Sequence, residues 1–144
     1  MKSIIQEHSL KTLPLFCAFL KEYLPNGGIV LLEGDLASGK TTLVKEFAKI
    51  LRLDSSVSSP TFSILNEYED LIKHYDIYQI GTEGFLRQGL LQTLDQEDKY
   101  YFIEWADKDF ERLLVQTGFN YIKVDISVID EEKRRYEVNL YACT

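Results

Sequence analysis

The sequence predicts an α/β domain on a mixed sheet, with parallel strands at its centre and antiparallel strands added by the C-terminal segment. Three observations predict it. Two short apolar runs, IVLL (29–32) and YYFI (100–103), are continuous rather than alternating, as strands buried on both faces are. Stretches with helical spacing of apolar residues surround the first run and precede the second. After residue 120 the pattern changes to two alternating segments joined across the charged turn DEEKRR, the mark of a hairpin.

The elements follow in order. Leu10, Leu13, Phe16, Cys17, Leu20 and Leu24 recur at helical spacing and predict an amphipathic helix. Thr12 is its expected cap, since that puts Pro14 in the first turn, and PNGG (25–28) ends it. The apolar core of this segment, LPLFCAFL, is too short to span a bilayer, is flanked by Glu7, Lys11, Lys21 and Glu22, and lacks a small-residue cleavage site. The strand at 29–32 runs straight into GDLASGKTT (34–42), and Leu43, Phe47 and Ile50 then predict a helix over 42–51. SSVSSPTFS reads as a surface loop around Pro60. Phe62, Ile64, Leu65 and Tyr68 predict a strand, HYDIYQI (74–80) another, and Phe85, Leu86, Leu90 and Leu91 a helix over 81–92. The run at 100–103 stops abruptly at Glu104 and Trp105, and the last strands are expected at 121–129 and 136–141.

Composition limits the function. A chain of 144 residues with 45% hydrophobic content is expected to form one domain over 1–144, without a separate module for RNA. The 23 acidic against 16 basic residues, a net charge of -7, exclude a broad basic surface for nucleic acid or anionic lipid, so any phosphate must be held locally. Cys17 and Cys143 lie at opposite ends of the chain without the close spacing of metal or redox pairs, and are expected as reduced thiols in a cytoplasmic protein.

The local grip on phosphate is in GDLASGKTT. Gly34, Gly39, Lys40 and Thr41 satisfy G-x-x-x-x-G-K-[ST] between a strand and a helix. Glycines let successive backbone N–H groups turn around the phosphates, the lysine reaches the outer phosphates, and the hydroxyl after it suits Mg²⁺. Thr61 lies in the proline-anchored loop, where phosphate-sensing switches are found. Asp76 stands inside an expected strand, which fits an acid facing either a site or solvent. Glu104 ends a buried strand, a place from which a carboxylate can hold Mg²⁺ or its water.

GDLASGKTT, SSPTFSILNEY, HYDIYQI and IEWAD, in this order and spacing, resemble the signature blocks of the bacterial TsaE (YjeE) family. The resemblance implies a phosphate-loop NTPase fold, a three-layer sandwich, that binds ATP and Mg²⁺. It implies an ATPase subunit supporting turnover of the complex that forms N6-threonylcarbamoyladenosine at position 37 of tRNA, without performing the transfer. A TsaD-like transferase and a TsaB-like companion would be its partners, with tRNA met only through the complex and no membrane involved. Carried over by position, Gly34, Asp35, Leu36, Ala37, Ser38, Gly39, Lys40, Thr41 and Thr42 would bind phosphates, and Thr41 and Glu104 the metal. Asp76 matches the acid of the strand motif, and Thr61 the switch-like threonine. Thr12 would lie near the base together with a late arginine, Arg135 or its neighbour Arg134. Two departures stand out: Ala37-Ser38 replaces the usual Gly-Ala, and Gln79 replaces the arginine that commonly follows the motif tyrosine.

Two other readings compete. A small-molecule kinase on the same fold would want clustered arginine clamps, and Arg52, Arg87, Arg112, Arg134 and Arg135 are scattered. A docking module that does not hydrolyse nucleotide would need the loop but neither Glu104 nor Asp76.

Overall fold

The computed structural model describes residues 2–35, 38–53, 64–94 and 98–141. Leu36, Ala37 and Thr61 therefore lie outside the described residues. The elements run β1 (Lys2–Ser9), α1 (Leu13–Tyr23), β2 (Gly28–Glu33), α2 (Lys40–Ile50), β3 (Leu65–Tyr68), β4 (Ile72–Asp76), α3 (Gly81–Arg87), a 3-10 turn (Leu90–Leu94), β5 (Tyr100–Glu104), α4 (Lys108–Gln116), β6 (Tyr121–Val128) and β7 (Lys133–Tyr141).

All seven strands join one sheet in the order β1-β7-β6-β2-β5-β4-β3. The centre, β6-β2-β5-β4, is parallel; β3 pairs antiparallel with β4, β7 with β6 and β1 with β7. Successive side chains of a strand point to opposite faces, so each central strand feeds two cores. Val30, Leu32, Phe102 and Val124 pack with Leu13, Phe16, Leu20, Leu43 and Phe47 of α1 and α2. Ile29, Leu31, Tyr101 and Ile103 pack with Phe85, Phe110 and Leu114 of α3 and α4. The result is the predicted α/β fold in three layers, parallel at the centre and antiparallel at the C-terminal end. Each core is keyed by a large buried ring: Phe47 lies edge-on to Tyr100 and Phe102, and Phe85 edge-on to Phe110. Truncating one of these to Ala costs about 3–5 kcal/mol.

Several expectations change in detail. The N-terminal KSIIQEHS is a strand, which draws its pairing from β7 at the far end of the chain. Leu10, expected on the apolar face of α1, precedes that helix and is exposed. The strand at HYDIYQI ends at Asp76, and residues 78–80 turn into α3. The helix expected over 81–92 breaks at Gly89, whose φ of +73° takes the chain out of the helical region before the 3-10 turn. Helix α4 was not foreseen at all, although ADKDFERLLVQ carries its signals. Asp107 caps it by accepting from the Phe110 N–H at 3.0 Å, and Phe110 and Leu114 are buried one turn apart. Among the described residues, no helix is long and apolar enough to cross a membrane.

Candidate functional site

The sheet order makes the site. Strand β2 ends with β5 on one side and β6 on the other, and the loop from β2 to α2 lies over the ends of these strands. Ligands of open α/β sheets collect at such places, beyond the carboxyl ends of the parallel strands.

Two glycines shape the loop. A Cβ on Gly34 would stand 2.6 Å from Ser38 Oγ and 2.7 Å from the Ile126 carbonyl oxygen of β6, so no larger residue fits. Gly39, at φ +107°, takes the left-handed turn that starts α2 and has open space around it. Lys40 follows as the first residue of α2. Its ammonium donates to the Gly34 carbonyl at 2.8 Å, closing the loop on itself, and lies 3.6 Å from the centre of the Trp105 ring. Loss of hydration pushes the Lys40 pKa below its usual value, against the pull of Glu104, Asp76, Asp35 and Glu33. Trp105 holds a left-handed φ of +69°, a strain of about 1–2 kcal/mol for a residue with a Cβ. Its ring packs edge-on against the exposed Tyr78, at 4.8 Å between centroids.

Next to the lysine stands a polar cluster. Thr41 Oγ1 donates to Glu104 Oε2 at 3.2 Å, and the buried His74 hydrogen-bonds the same carboxylate oxygen through Nε2. Burial pushes the Glu104 pKa up, but the His74 bond and charge, the Lys40 charge and the Thr41 hydroxyl outweigh it and hold the carboxyl below its usual range. Asp76 pairs in register with Glu104 and so projects from the same face of the sheet. It is exposed, and its Oδ1 accepts from the Tyr78 N–H at 3.1 Å. Lys40, Thr41, Glu104 and Asp76 are thus brought together.

On the other side of the loop is a cavity of about 490 Å³, bordered by His8, Ser9, Leu10 and Lys11, by Ser38, Gly39 and Thr42 of the loop and α2, by Glu131 and Glu132 of the turn before β7, and by Arg134 and Tyr136 of β7. Arg134 Nε donates to the Ser38 carbonyl at 3.2 Å. Here the expectation for Arg135 is corrected. That side chain leaves the opposite face of β7 and pairs with Glu7 at 3.5 Å, because its neighbour Tyr136 turns into the α1/α2 core. The period of two in RRYEV, with Tyr136 and Val138 as inward residues, already puts Arg134 on the loop side. Thr12 does not border the cavity. Its hydroxyl accepts from the Ser9 N–H at 3.0 Å and lies 3.1 Å from Nδ1 of His8, which does border it. Asp35 borders a second recess, behind the loop, with Glu33, Gly34, Ser38 and Asp125.

Two residues near the site escaped the sequence reading: His74, visible only as the first letter of HYDIYQI, and His8, in the unforeseen β1. Among the described residues no group of three or more His, Cys, Asp or Glu side chains could enclose a metal by itself.

Comparison with known proteins agrees with this architecture. The family model for the threonylcarbamoyl adenosine biosynthesis protein TsaE matches residues 7–136. A tRNA threonylcarbamoyladenosine biosynthesis protein TsaE of Bacillus subtilis is 38% identical, over 78% of this chain and 69% of its own length. The protein of the same name from Nostoc sp. is 32% identical, over 87% and 78%, and that from Aquifex aeolicus 29% identical, over 96% of both. The crystal structure of Bacillus subtilis YdiB superposes with a TM-score of 0.68 at 21% identity, covering 98% of this chain and 87% of that one, a likeness of fold. With Lys40, Thr41, Asp76 and Glu104 gathered at the end of β2 and the family match running through nearly all the chain, this protein belongs to the TsaE family of tRNA threonylcarbamoyladenosine biosynthesis proteins.

Proposed function

We propose that this chain binds MgATP at the β2–α2 loop and hydrolyses it in support of tRNA threonylcarbamoylation, with a TsaD-like transferase and a TsaB-like companion as partners. The observation that carries the reading is the convergence of Lys40 Nζ, 2.8 Å from the Gly34 carbonyl, with Thr41 and Glu104, 3.2 Å from each other, at the mouth of one glycine-shaped loop.

The residues present fit both ligands. The cavity of about 490 Å³ is within the size range of small-ligand pockets and opens beside Gly39 and Thr42, where the nucleoside of a loop-bound nucleotide has room. Thr41 and Glu104 offer hard oxygen donors, the kind that suit Mg²⁺ with its remaining positions left to water and phosphate. When bound, Mg²⁺ supplies charge neutralisation on the phosphate oxygens. The chain's own residues do the rest. Lys40 exchanges the Gly34 carbonyl for an outer phosphate oxygen, a charge-assisted bond stronger than the one it gives up. Glu104, held ionised, and Asp76 beside it are placed to orient the metal's water shell or the attacking water.

The kinase reading loses ground because Arg87, Arg112 and Arg135 are committed to ion pairs with Glu83, Asp109 and Glu7 and Arg52 lies past the C-terminal end of α2, away from the loop, leaving Arg134 as the described arginine beside it. With no second arginine there, turnover by the isolated chain is expected to be slow, and a missing arginine finger can cost about 10³- to 10⁵-fold. The test is phosphate release and tRNA binding at moderate salt, by this chain alone and mixed with TsaD-like and TsaB-like subunits. Turnover raised by the partners, with no tRNA affinity of the chain alone, is the expected result. Turnover that partners leave unchanged, or tight tRNA binding by this chain alone, refutes it.

A further inference from the structure

His74 is 4% exposed and Glu104 5%, and both lie on the face of the sheet that α2 covers. Two hydrogen bonds converge on one oxygen of this carboxylate, Oε2, from the Thr41 hydroxyl and from His74 Nε2. An ionised carboxylate only accepts, so Nε2 carries the proton whatever the state of the rest of the ring. The other ring nitrogen, Nδ1, is buried without a partner, and so is Oδ1 of Asn66. Asn66 is the residue of β3 directly opposite His74 of β4. Side chains opposite one another on antiparallel strands share a face, with Cβ atoms about 4.5–5.5 Å apart. A carboxamide can present either its oxygen or its NH₂ group, so Asn66 is matched to Nδ1 in either of that atom's roles.

The geometry points to His74 as the positioning residue of Glu104, with Asn66, opposite it on β3, placed to hold the free Nδ1 in turn, along a line of side chains that crosses the sheet from β3 through β4 to β5. This role rests on the MgATP reading for its functional consequence. There the Thr41 hydroxyl is needed by the cation and its bond to Glu104 weakens. His74 is then the described side chain still holding the carboxylate, so its contribution is largest in the loaded state. His74 touches neither phosphate nor water in this scheme; it acts through Glu104. Second partners of metal-site ligands typically matter 10- to 100-fold in metal affinity or activity, which sets the scale, about 10- to 100-fold, of the effect to be read.

The test uses the full chain with His74→Leu, His74→Gln and Asn66→Leu. Gln presents an N–H near the position of Nε2, whereas Leu fills the space without one. Calorimetry with ATP, with and without Mg²⁺, should find Mg²⁺-free affinity within about twofold of the parent for His74→Leu, with the gain in affinity on adding Mg²⁺ reduced and turnover with partner subunits lowered about 10- to 100-fold. His74→Gln should recover most of both losses, and Asn66→Leu should share them in smaller measure. Gln and Leu variants that behave alike, either both impaired or both like the parent, overturn the positioning role. A second measurement needs no nucleotide: a double-mutant cycle of urea unfolding over His74→Leu and Glu104→Leu should show coupling of about tenfold in the unfolding equilibrium, and additivity within about twofold overturns the contact itself. If the parent fails to bind ATP, the MgATP reading falls while this cycle still decides whether His74 seats Glu104.

Discussion

Replacing Glu104 separates two jobs that one carboxylate performs. In the folded chain it accepts from His74 Nε2 and from Thr41, and its own exposure is 5%. Glu104→Ala removes the oxygen that accepts both bonds. The exposed Thr41 hydroxyl turns to water at little cost, but His74, 4% exposed, is left with both ring nitrogens unpartnered. An orphaned buried donor costs about 1–3 kcal/mol, which at roughly 3 °C per kcal/mol for a chain of this size lowers Tm by about 3–10 °C. Glu104→Gln keeps an oxygen where Oε2 stood and should melt within about 2 °C of the parent. Both variants remove the charge, and one preorganised electrostatic group is worth about 2–4 kcal/mol in the transition state, or about 30- to 1,000-fold in turnover. Affinity for MgATP should change far less, because the loop and Lys40 hold the phosphates. The assays are calorimetric MgATP binding, phosphate release with partner subunits, and thermal melting of all three proteins. Losses of affinity as large as the losses of turnover would reduce Glu104 to a ground-state binding residue. Equal melting of the Ala and Gln variants would refute the account of His74 and Glu104 as a buried pair.

Other predictions follow from neighbouring groups. Lys40→Ala should abolish detectable MgATP binding by calorimetry, whereas Thr41→Ala should lower affinity in the presence of Mg²⁺ more than in its absence. Arg134→Ala should weaken nucleotide binding and Arg135→Ala should leave it within about twofold, since only the first borders the loop cavity and the second faces Glu7; the reverse order would show that the register of β7 differs. Behind the loop, burial and then the hydrogen bond and charge of Glu33 push the Asp125 carboxyl up to about 7, while its bond to Asp125 and then Lys123 hold Glu33 below its usual value. The folded chain therefore keeps a proton on Asp125 that the unfolded chain releases above the ordinary carboxylate range, and stability falls as pH rises from there through about 7. Urea melts of Asp125→Asn, which can still accept from Asn139, should show a gain over the parent at pH 8 that shrinks as the pH is lowered; a constant difference would refute the shared proton.

What this sequence determined by itself was whatever depends on neighbours along the chain. IVLL and YYFI read as central strands because a strand covered on both faces must be apolar at every position, and β2 and β5 are covered so. The glycine loop and its lysine were legible because the turn conformation and the bare backbone at Gly34 and Gly39 are properties of those residues themselves. Tertiary structure decided the rest. Strand β1 alternates only weakly and takes its hydrogen bonds from β7, more than a hundred residues away, so no local pattern announces it. The order that sets β2 beside β5, and β4 beyond β5, brings Thr41, His74, Asp76 and Glu104 to one place from three separate segments. Asn66 meets His74 through the register of β3 on β4, and Arg134 rather than Arg135 faces the loop because Tyr136 is drawn into the core. A pleated strand sends adjacent residues to opposite faces, so which of two arginines reaches the site is decided by what the whole sheet buries.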